Sequence, residues 1–160
     1  MVDLGVRAST LVAAGVAVTV VAYAGLATRW VSSDPGWYAG LVKPSWQPPD
    51  WVFGVAWPYN FIALVVAGLA IALTTPPATS LPWLGLLVAS SVGALTWAYL
   101  FYVPHRLTAA AIALAVAAML AWALVVVAWR AVPWAGYVLT PYALWLTVAT
   151  SLAVGFAATA

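Results

Sequence analysis

Residues 107–129 have the sequence LTAAAIALAVAAMLAWALVVVAW, a continuous apolar run without a single charged side chain. A helix needs about 20 apolar residues to cross the hydrocarbon core of a bilayer, whereas a barrel strand needs about ten and alternates apolar with polar residues. The run is too long and too uniformly apolar for such a strand. It therefore predicts a transmembrane α-helix.

Four further apolar runs of similar length lie outward from this one, separated by prolines and charged residues. The five predicted helices cover residues 4–28, 51–73, 82–102, 107–129 and 134–159. Every charged residue lies in a break between runs or near a terminus, where it can reach water. The sequence therefore predicts an all-α, multi-pass membrane protein, a single bundle of five transmembrane helices.

The composition excludes several classes of protein. Apolar residues make up 67% of the chain and charged residues 5%, too few to form the polar surface of a soluble enzyme. The absence of cysteine excludes disulfides, thiol catalysis and cysteine metal sites. A net charge of +2 without any basic run does not predict nucleic-acid binding.

Two aspects of the topology stay open. Ala22-Tyr23-Ala24 resembles a signal-peptide cleavage site. However, the apolar stretch before it is longer than in a usual signal peptide, and the negative charge of Asp3 offsets the positive charge of Arg7. We therefore expect this segment to remain as the first helix. With five spans the termini lie on opposite faces. One face carries two cations and the other three, which does not decide the orientation.

The longest break, residues 29–50, is the only connection long enough to fold over one end of the bundle. Prolines fix φ and oppose continuation of a helix. The segment contains three tryptophans and four prolines: Trp30, Trp37, Trp46, Pro35, Pro44, Pro48 and Pro49. Such a segment is explained either by an interfacial belt of tryptophans or by a lid over a cavity between helices.

This break and the helix after it carry a distinctive spacing of aromatic residues and prolines. Residues 37–57 have the sequence WYAGLVKPSWQPPDWVFGVAW. Two later segments follow in order: Trp97 with Phe101-Tyr102, and Trp134-Ala135-Gly136 with Pro141-Tyr142 and Trp145. Together they resemble the signature of the translocator protein family, also called tryptophan-rich sensory protein, over the whole chain.

The resemblance implies a five-helix bundle, dimeric through its third helix, with a pocket closed by the first loop. It implies a prokaryotic cell membrane and lipophilic ligands such as porphyrin or haem-related tetrapyrroles, with no required cofactor. Trp57 and Trp145 match two pocket tryptophans linked to light- and oxygen-dependent porphyrin breakdown. The full set of candidate ligand-binding residues is Trp37, Trp46, Pro48, Pro49, Trp51, Phe53, Trp57, Asn60, Phe61, Trp97, Tyr142, Trp145, Val148 and Ala149.

The chain departs from the family pattern at polar positions. Ala94 and Ala153 stand where asparagines are usual, and Pro58 and Phe61 replace a threonine and a tyrosine. The polar part of the pocket is therefore rearranged, so ligand preference cannot be inherited from the family. After Tyr142 no lysine or arginine follows, so the cholesterol-type pattern is absent and sterol binding is not expected.

The residues themselves limit the chemistry. No aspartate, glutamate, lysine or histidine lies within any predicted span, so a proton relay, a carboxylate pair or a buried ion site lacks its groups. We therefore predict no metal site and no conventional catalysis. His105 has two interpretations, an axial haem ligand or a solvated turn residue. What remains is aromatic surface suited to flat apolar ligands.

Helical spacing places the candidates on two faces. Phe53, Trp57, Asn60, Phe61 and Leu64 share one face of the second helix, and Pro141, Trp145, Val148, Ala149 and Leu152 share one of the fifth. Each face is explained either by helix–helix packing or by a cavity between two opposed indoles. Asn60 could bond to another helix or offer a ligand a polar group.

The third helix contains a row of small residues, Ser90, Ala94 and Ala98. Such a row permits close approach either of a second copy or of a helix in the same bundle.

Three functions remain: a receptor-like protein that binds tetrapyrroles, an enzyme-like protein that degrades porphyrin through Trp57 and Trp145, and a transporter of the ligand. No pattern of inverted repeats or coupling-ion residues favours the last.

Overall fold

The computed structural model describes residues 2–159, with side chains from residue 5 onward. Within these residues it contains six helices: α1 (Val2–Val31), α2 (Pro35–Gly40), α3 (Asp50–Thr74), α4 (Pro77–Tyr102), α5 (Leu107–Ala131) and α6 (Pro133–Thr159). All except the short α2 are long and apolar enough to cross a membrane. The predicted all-α fold with five transmembrane helices is confirmed.

The start of α4 differs most from its predicted boundary. The sequence predicts a start at residue 82, because Pro76-Pro77 resembles a break. The helix begins at Pro77 instead, and Pro82 lies inside it. Proline is well tolerated in the first turn because its missing N–H would be unpaired there in any case. For the same reason, Pro35 begins α2 within a segment that the sequence leaves non-helical.

The five long helices form a closed ring. α1 packs against α3 and α4, α5 lies between α4 and α6, and α6 returns to α3. Small residues permit these approaches: a Cβ on Gly68 would lie 2.6 Å from Val16 Cγ1, and one on Gly93 would lie 3.0 Å from Ala117 Cβ. Close backbone approach of this kind is how helices pack in lipid.

A small polar cluster lies at the centre of the ring. Tyr142 on α6 donates to the hydroxyl of Tyr23 on α1 at 3.5 Å, and Ser90 on α4 lies 3.4 Å from the Tyr142 hydroxyl. Ser90 also donates to the carbonyl of Ala117 at 3.1 Å. Polar groups removed from water need such partners, so the cluster fixes the relative positions of four helices.

The small-residue row of the third transmembrane helix points into the bundle. Ser90, Ala94 and Ala98 are at most 1% exposed. Packing within one bundle, rather than contact with a second copy, is therefore the explanation that the structure supports for this row. The face of α4 left open to a partner contains Gly85, Ala89, Val92 and Thr96.

Candidate functional site

A cavity of about 310 Å³ lies at the end of the bundle where α1 connects to α3. Its wall is mostly aromatic and apolar. The helices contribute Phe53, Trp57, Trp97, Phe101, Tyr102, Trp145, Ala149, Leu152, Ala153 and Phe156, and the connecting segment with its flanks contributes Val31, Pro35, Tyr38, Gln47 and Asp50. We call this cavity the pocket and residues 32–49 above it the lid.

The lid is folded rather than irregular. The carboxylate of Asp34 accepts a hydrogen bond from the Trp37 backbone N–H at 3.0 Å and so caps the N-terminus of α2. Gln47 Nε2 donates to the Tyr38 hydroxyl at 3.4 Å, which joins the two halves of the lid over the pocket. Burial is the main cause of a raised pKa at Tyr38, so this hydroxyl stays protonated at neutral pH.

Several contacts fasten the lid to the bundle, among them a hydrogen bond from Ser33 Oγ to the Tyr102 carbonyl at 3.2 Å. The Trp37 ring stacks on the His105 ring, with centroids 3.8 Å apart and planes 16° apart. Trp46 Nε1 donates to Ser151 Oγ at 3.2 Å. Pro44 and Trp46 also pack directly on Gly155 of α6.

His105 belongs to this fastening. Its backbone has a φ of 56°, and its Nε2 lies 3.9 Å from Asp34 Oδ2. It does not line the pocket. The His105 side chain is 34% exposed in the turn between α4 and α5, so it is partly solvated, and its ring packs against the lid rather than lining the pocket.

The pocket contains polar atoms without partners. The indole nitrogens of Trp97 and Trp145 and the side-chain oxygen of Gln47 are buried, and none has a hydrogen-bond partner among the described side chains and backbone. Buried donors and acceptors are nearly always paired in native proteins. These three atoms expose almost no surface to the cavity, so a bound molecule could pair with them only after the wall adjusts around it.

Trp57 and Trp145 touch each other edge to face. Their ring centroids are 6.5 Å apart at an interplanar angle of 87°. Phe53 packs on Trp145 at 5.1 Å, and Phe61 stacks on the far side of Trp57 at 5.7 Å. The expectation of two indoles opposed across an open cavity is therefore wrong, because the two rings form one continuous part of the wall.

Residues 13–158 match the family model described as "TspO/MBR family". The chain belongs to the TspO/MBR family. It is 36% identical over 135 residues to Protein CrtK of Rhodobacter capsulatus, covering 79% of each chain. It is 32% identical to the tryptophan-rich sensory protein of Cereibacter sphaeroides, over 72% of each chain. It is 31% identical to the translocator protein of Homo sapiens, over 72% of this chain and 70% of the human protein. With its five apolar spans, it is an integral membrane protein of this family.

The structure separates the fourteen candidate residues into four groups. Phe53, Trp57, Trp97, Trp145 and Ala149 line the pocket. The lid contains Trp37, Trp46, Pro48 and Pro49, which cover the pocket without lining it. Phe61 and Tyr142 pack behind the pocket wall, in contact with Trp57 and Tyr23 respectively. Trp51, Asn60 and Val148 line a different cavity, on the outer side of α3 and α6.

Several lining residues are absent from the candidates that the sequence supplies. Leu152 shares the helical face that the sequence predicts for Trp145 and Ala149, and Phe156 continues it, so extending the periodicity by one turn would have found Phe156. Tyr38 and Gln47 lie within the TspO/MBR motif, yet only the folded lid shows that they face inward.

No metal site accompanies the pocket in the part of the chain that the structure describes. Residues 5–159 contain no group of three or more histidine, aspartate or glutamate side chains close enough to hold an ion.

Replacing Gly155 with alanine should detach the lid from α6. The new Cβ would lie 2.8 Å from Pro44 Cγ and 3.0 Å from Trp46 Cζ2, so the docked segment must shift. We expect faster hydrogen exchange at the Gln47 amide, which donates to the Pro44 carbonyl. Gly40→Ala is the matched control, because a Cβ there meets nothing within 4 Å. Equal exchange in Gly155→Ala and the unmodified protein would contradict this docking.

Proposed function

We propose that this TspO/MBR protein is a receptor-like membrane protein that binds tetrapyrroles or similar flat lipophiles in the pocket. The observation that supports it most is the aromatic wall of the pocket, to which Phe53, Trp57, Trp97 and Trp145 contribute. Flat rings gain from burial and stacking on such a wall. The indole N–H groups of Trp97 and Trp145 are buried and unpaired in the closed pocket, and would donate to carboxylate or carbonyl oxygens at the ligand's edge once the wall adjusts around it.

Binding of a whole tetrapyrrole requires the lid to move. The pocket volume of about 310 Å³ lies at the lower end of the range for small-molecule sites, and a substituted four-ring macrocycle needs more. The lid is joined to the bundle by side-chain contacts, among them the Trp37–His105 stack and the hydrogen bonds of Trp46 with Ser151 and of Ser33 with the Tyr102 carbonyl. These contacts can break, and the lid can move, without unfolding a transmembrane helix.

Protoporphyrin binding to Trp97→Phe tests this function. Phenylalanine keeps an aromatic ring but removes the N–H donor, so affinity should fall about fivefold, the value of one net hydrogen bond. Trp134→Phe is the control, because Trp134 is 49% exposed at the start of α6 and does not line the pocket. Affinity should be measured by titration of the purified protein in detergent. No saturable binding to the unmodified protein would contradict the function, and an equal affinity in both variants would contradict the role of Trp97.

A second candidate function is oxidative porphyrin breakdown. The edge contact between Trp57 and Trp145 favours it, because an electron removed from one indole can be shared with the other beside the bound ring. Light supplies the excitation and dioxygen is the net oxidant. An indole loses an electron and a proton to activated oxygen and regains both from the porphyrin. Transport of the ligand has no such supporting contact.

The proposed setting is a prokaryotic cell membrane, since two of the relatives named above are bacterial. A homodimer through α4 is also proposed, with Gly85 and Ala89 on the exposed face as the contact. A monomeric mass for the purified protein in bilayer discs would contradict the dimer.

A further inference from the structure

The two halves of the lid differ in how they are held to the bundle. Residues 33–41, which we call the anchored half, contain α2 and rest on α4, on the turn after α4 and on α6. Residues 44–49, which we call the flap, continue from there to the start of α3. The difference decides which part of the lid can leave the pocket first.

The anchored half is held by a set of aromatic contacts. Trp37, Tyr38 and Leu41 pack against the buried apolar cluster around Phe101. The Trp37 ring centroid lies 3.8 Å from that of His105 and 5.5 Å from that of Phe101. The Tyr38 ring lies within 6.4 Å of three further rings on α4 and α6. Aromatic pairs add to the gain from burial, so several favourable contacts must break together before this half moves.

The flap has fewer contacts, and they are more exposed. Trp46 is 55% exposed, and its indole N–H donates to Ser151 Oγ at 3.2 Å on the surface of α6. Pro44 is buried, and together with Trp46 it packs on Gly155. Trp46 does not take part in the apolar cluster that holds the anchored half. Exposed hydrogen bonds contribute little net stability, so the flap separates from α6 more easily than the anchored half separates from α4.

The flap is stiff, and the chain beside it is flexible. Its three prolines fix φ, and the Gln47 N–H donates to the Pro44 carbonyl at 3.0 Å to close a turn. Val42 and Lys43, which join the two halves, belong to no helix and have exposed side chains. The contact of Lys43 with Asp50, 3.9 Å at the protein surface, restrains this joint only weakly. The flap can therefore turn as one body about residues 42–43.

The flap covers the part of the pocket that α6 lines. Gln47 lines the pocket from above, and Gly155, on which the flap rests, lies between the lining residues Leu152 and Phe156. The hydrogen bond from Gln47 to the Tyr38 hydroxyl, 3.4 Å long, is the side-chain hydrogen bond that joins the flap to the anchored half. When the flap lifts, this bond breaks and the α6 wall is uncovered, while Tyr38 stays in place as a fixed part of the pocket.

We propose that the lid opens by halves: the flap swings away from α6 about residues 42–43, the anchored half keeps its place on α4, and the ligand enters over α6. The nature of that ligand, a flat lipophile, rests on the proposed function. The motion itself involves only the contacts of one short segment, as local openings of native proteins do.

A single thiol in the pocket wall measures the opening without any ligand. The chain has no cysteine, so Ala153→Cys introduces the sole thiol at a position that lines the pocket and is 2% exposed. The rate at which N-ethylmaleimide modifies it in phosphatidylcholine bilayer discs follows the population of the open state. Adding Ser151→Ala removes the acceptor of the Trp46 hydrogen bond, and adding Trp46→Phe removes the donor. Each should raise the rate about threefold, as expected for one exposed hydrogen bond.

His105→Gly, in the same Ala153→Cys background, is the matched control for the anchored half. Glycine accepts the φ of 56° at this position and removes the ring that stacks on Trp37. The modification rate should not change, because the anchored half stays in place when the flap opens. Equal acceleration by His105→Gly and Ser151→Ala would mean that the lid lifts as one piece, and would overturn the proposal. An unchanged rate in both Ser151→Ala and Trp46→Phe would overturn it as well.

A reversible cross-link tests whether the ligand enters over α6. A Cβ at residue 155 would lie 2.8 Å from Pro44 Cγ, so a variant with both Pro44→Cys and Gly155→Cys brings two thiols within reach of a disulfide. In its oxidised form, protoporphyrin uptake should be at least about tenfold slower than after reduction, because the local opening is blocked. Equal uptake rates would overturn entry over α6. Absence of protoporphyrin binding in every sample would contradict the proposed function, whereas the thiol modification rates would still decide whether the flap opens alone.

Discussion

Under the proposed oxidative function, replacing both Trp57 and Trp145 with phenylalanine should leave protoporphyrin bound while reducing its light-dependent breakdown at least about tenfold, a barrier increase of about 1.4 kcal/mol. Each phenylalanine keeps a ring in the pocket wall, so binding should weaken by only about 1 kcal/mol. Phenylalanine is far harder to oxidise than tryptophan, so it cannot pass an electron between the porphyrin and activated oxygen. Because the two indoles touch, either single variant should keep part of the activity.

The measurement is the yield of photoproducts after illumination in air, with the amount of bound porphyrin determined in the same samples. Trp134→Phe, exposed and outside the pocket, is the control for the loss of one tryptophan. A full photoproduct yield from the double variant would eliminate the enzyme-like function and leave the receptor-like function standing. Unchanged porphyrin affinity after Trp57→Ala and Trp145→Ala together would mean that the ligand binds elsewhere.

Gly136→Ala should cause the largest loss of stability among the glycine substitutions in this chain. Only Val132 separates α5 from α6, so Gly136 in the first turns of α6 lies directly against Trp129 at the end of α5. An added Cβ would overlap the indole of Trp129 and lie 2.7 Å from its Cα. The Trp129 side chain could rotate away, but the Trp129 backbone cannot move without moving α5. We therefore expect the free energy of unfolding to fall by about 3 kcal/mol, the upper end for overpacked sites.

Thermal unfolding in detergent, followed by loss of the monodisperse protein, measures this effect. Gly25→Ala in α1 is the matched control, because its Cβ meets nothing within 4 Å. That variant should be as stable as the unmodified protein or more so, since alanine is favoured over glycine in a helix by about 1 kcal/mol. Equal melting temperatures for the two variants would show that the α5–α6 junction relaxes more easily than its geometry suggests.

The number of spans and their approximate positions follow from the sequence alone. A helix in lipid satisfies its backbone hydrogen bonds internally, so a long apolar run is sufficient to specify it without knowledge of any neighbour. Residues 107–129 illustrate this, since α5 covers Leu107–Ala131. The boundaries at Pro35 and Pro77 could not be obtained in the same way, because a proline that breaks one helix is equally suited to begin the next.

Which cavity a side chain faces was decided by the tertiary structure. Phe53, Trp57 and Asn60 recur at helical intervals, and periodicity places them on one broad face of α3. That face spans the junction with α6, so Trp57 lines the pocket under the lid while Asn60 lies beside a different cavity, between α3 and α6. Ser90 and Ala94 show the same limit of sequence patterns, because small residues suit any close contact between helices. They face the interior only because of the order in which the five helices are arranged in the ring. Local pattern specifies that a residue lies on a face; the neighbour that this face meets is fixed only when all five helices pack together.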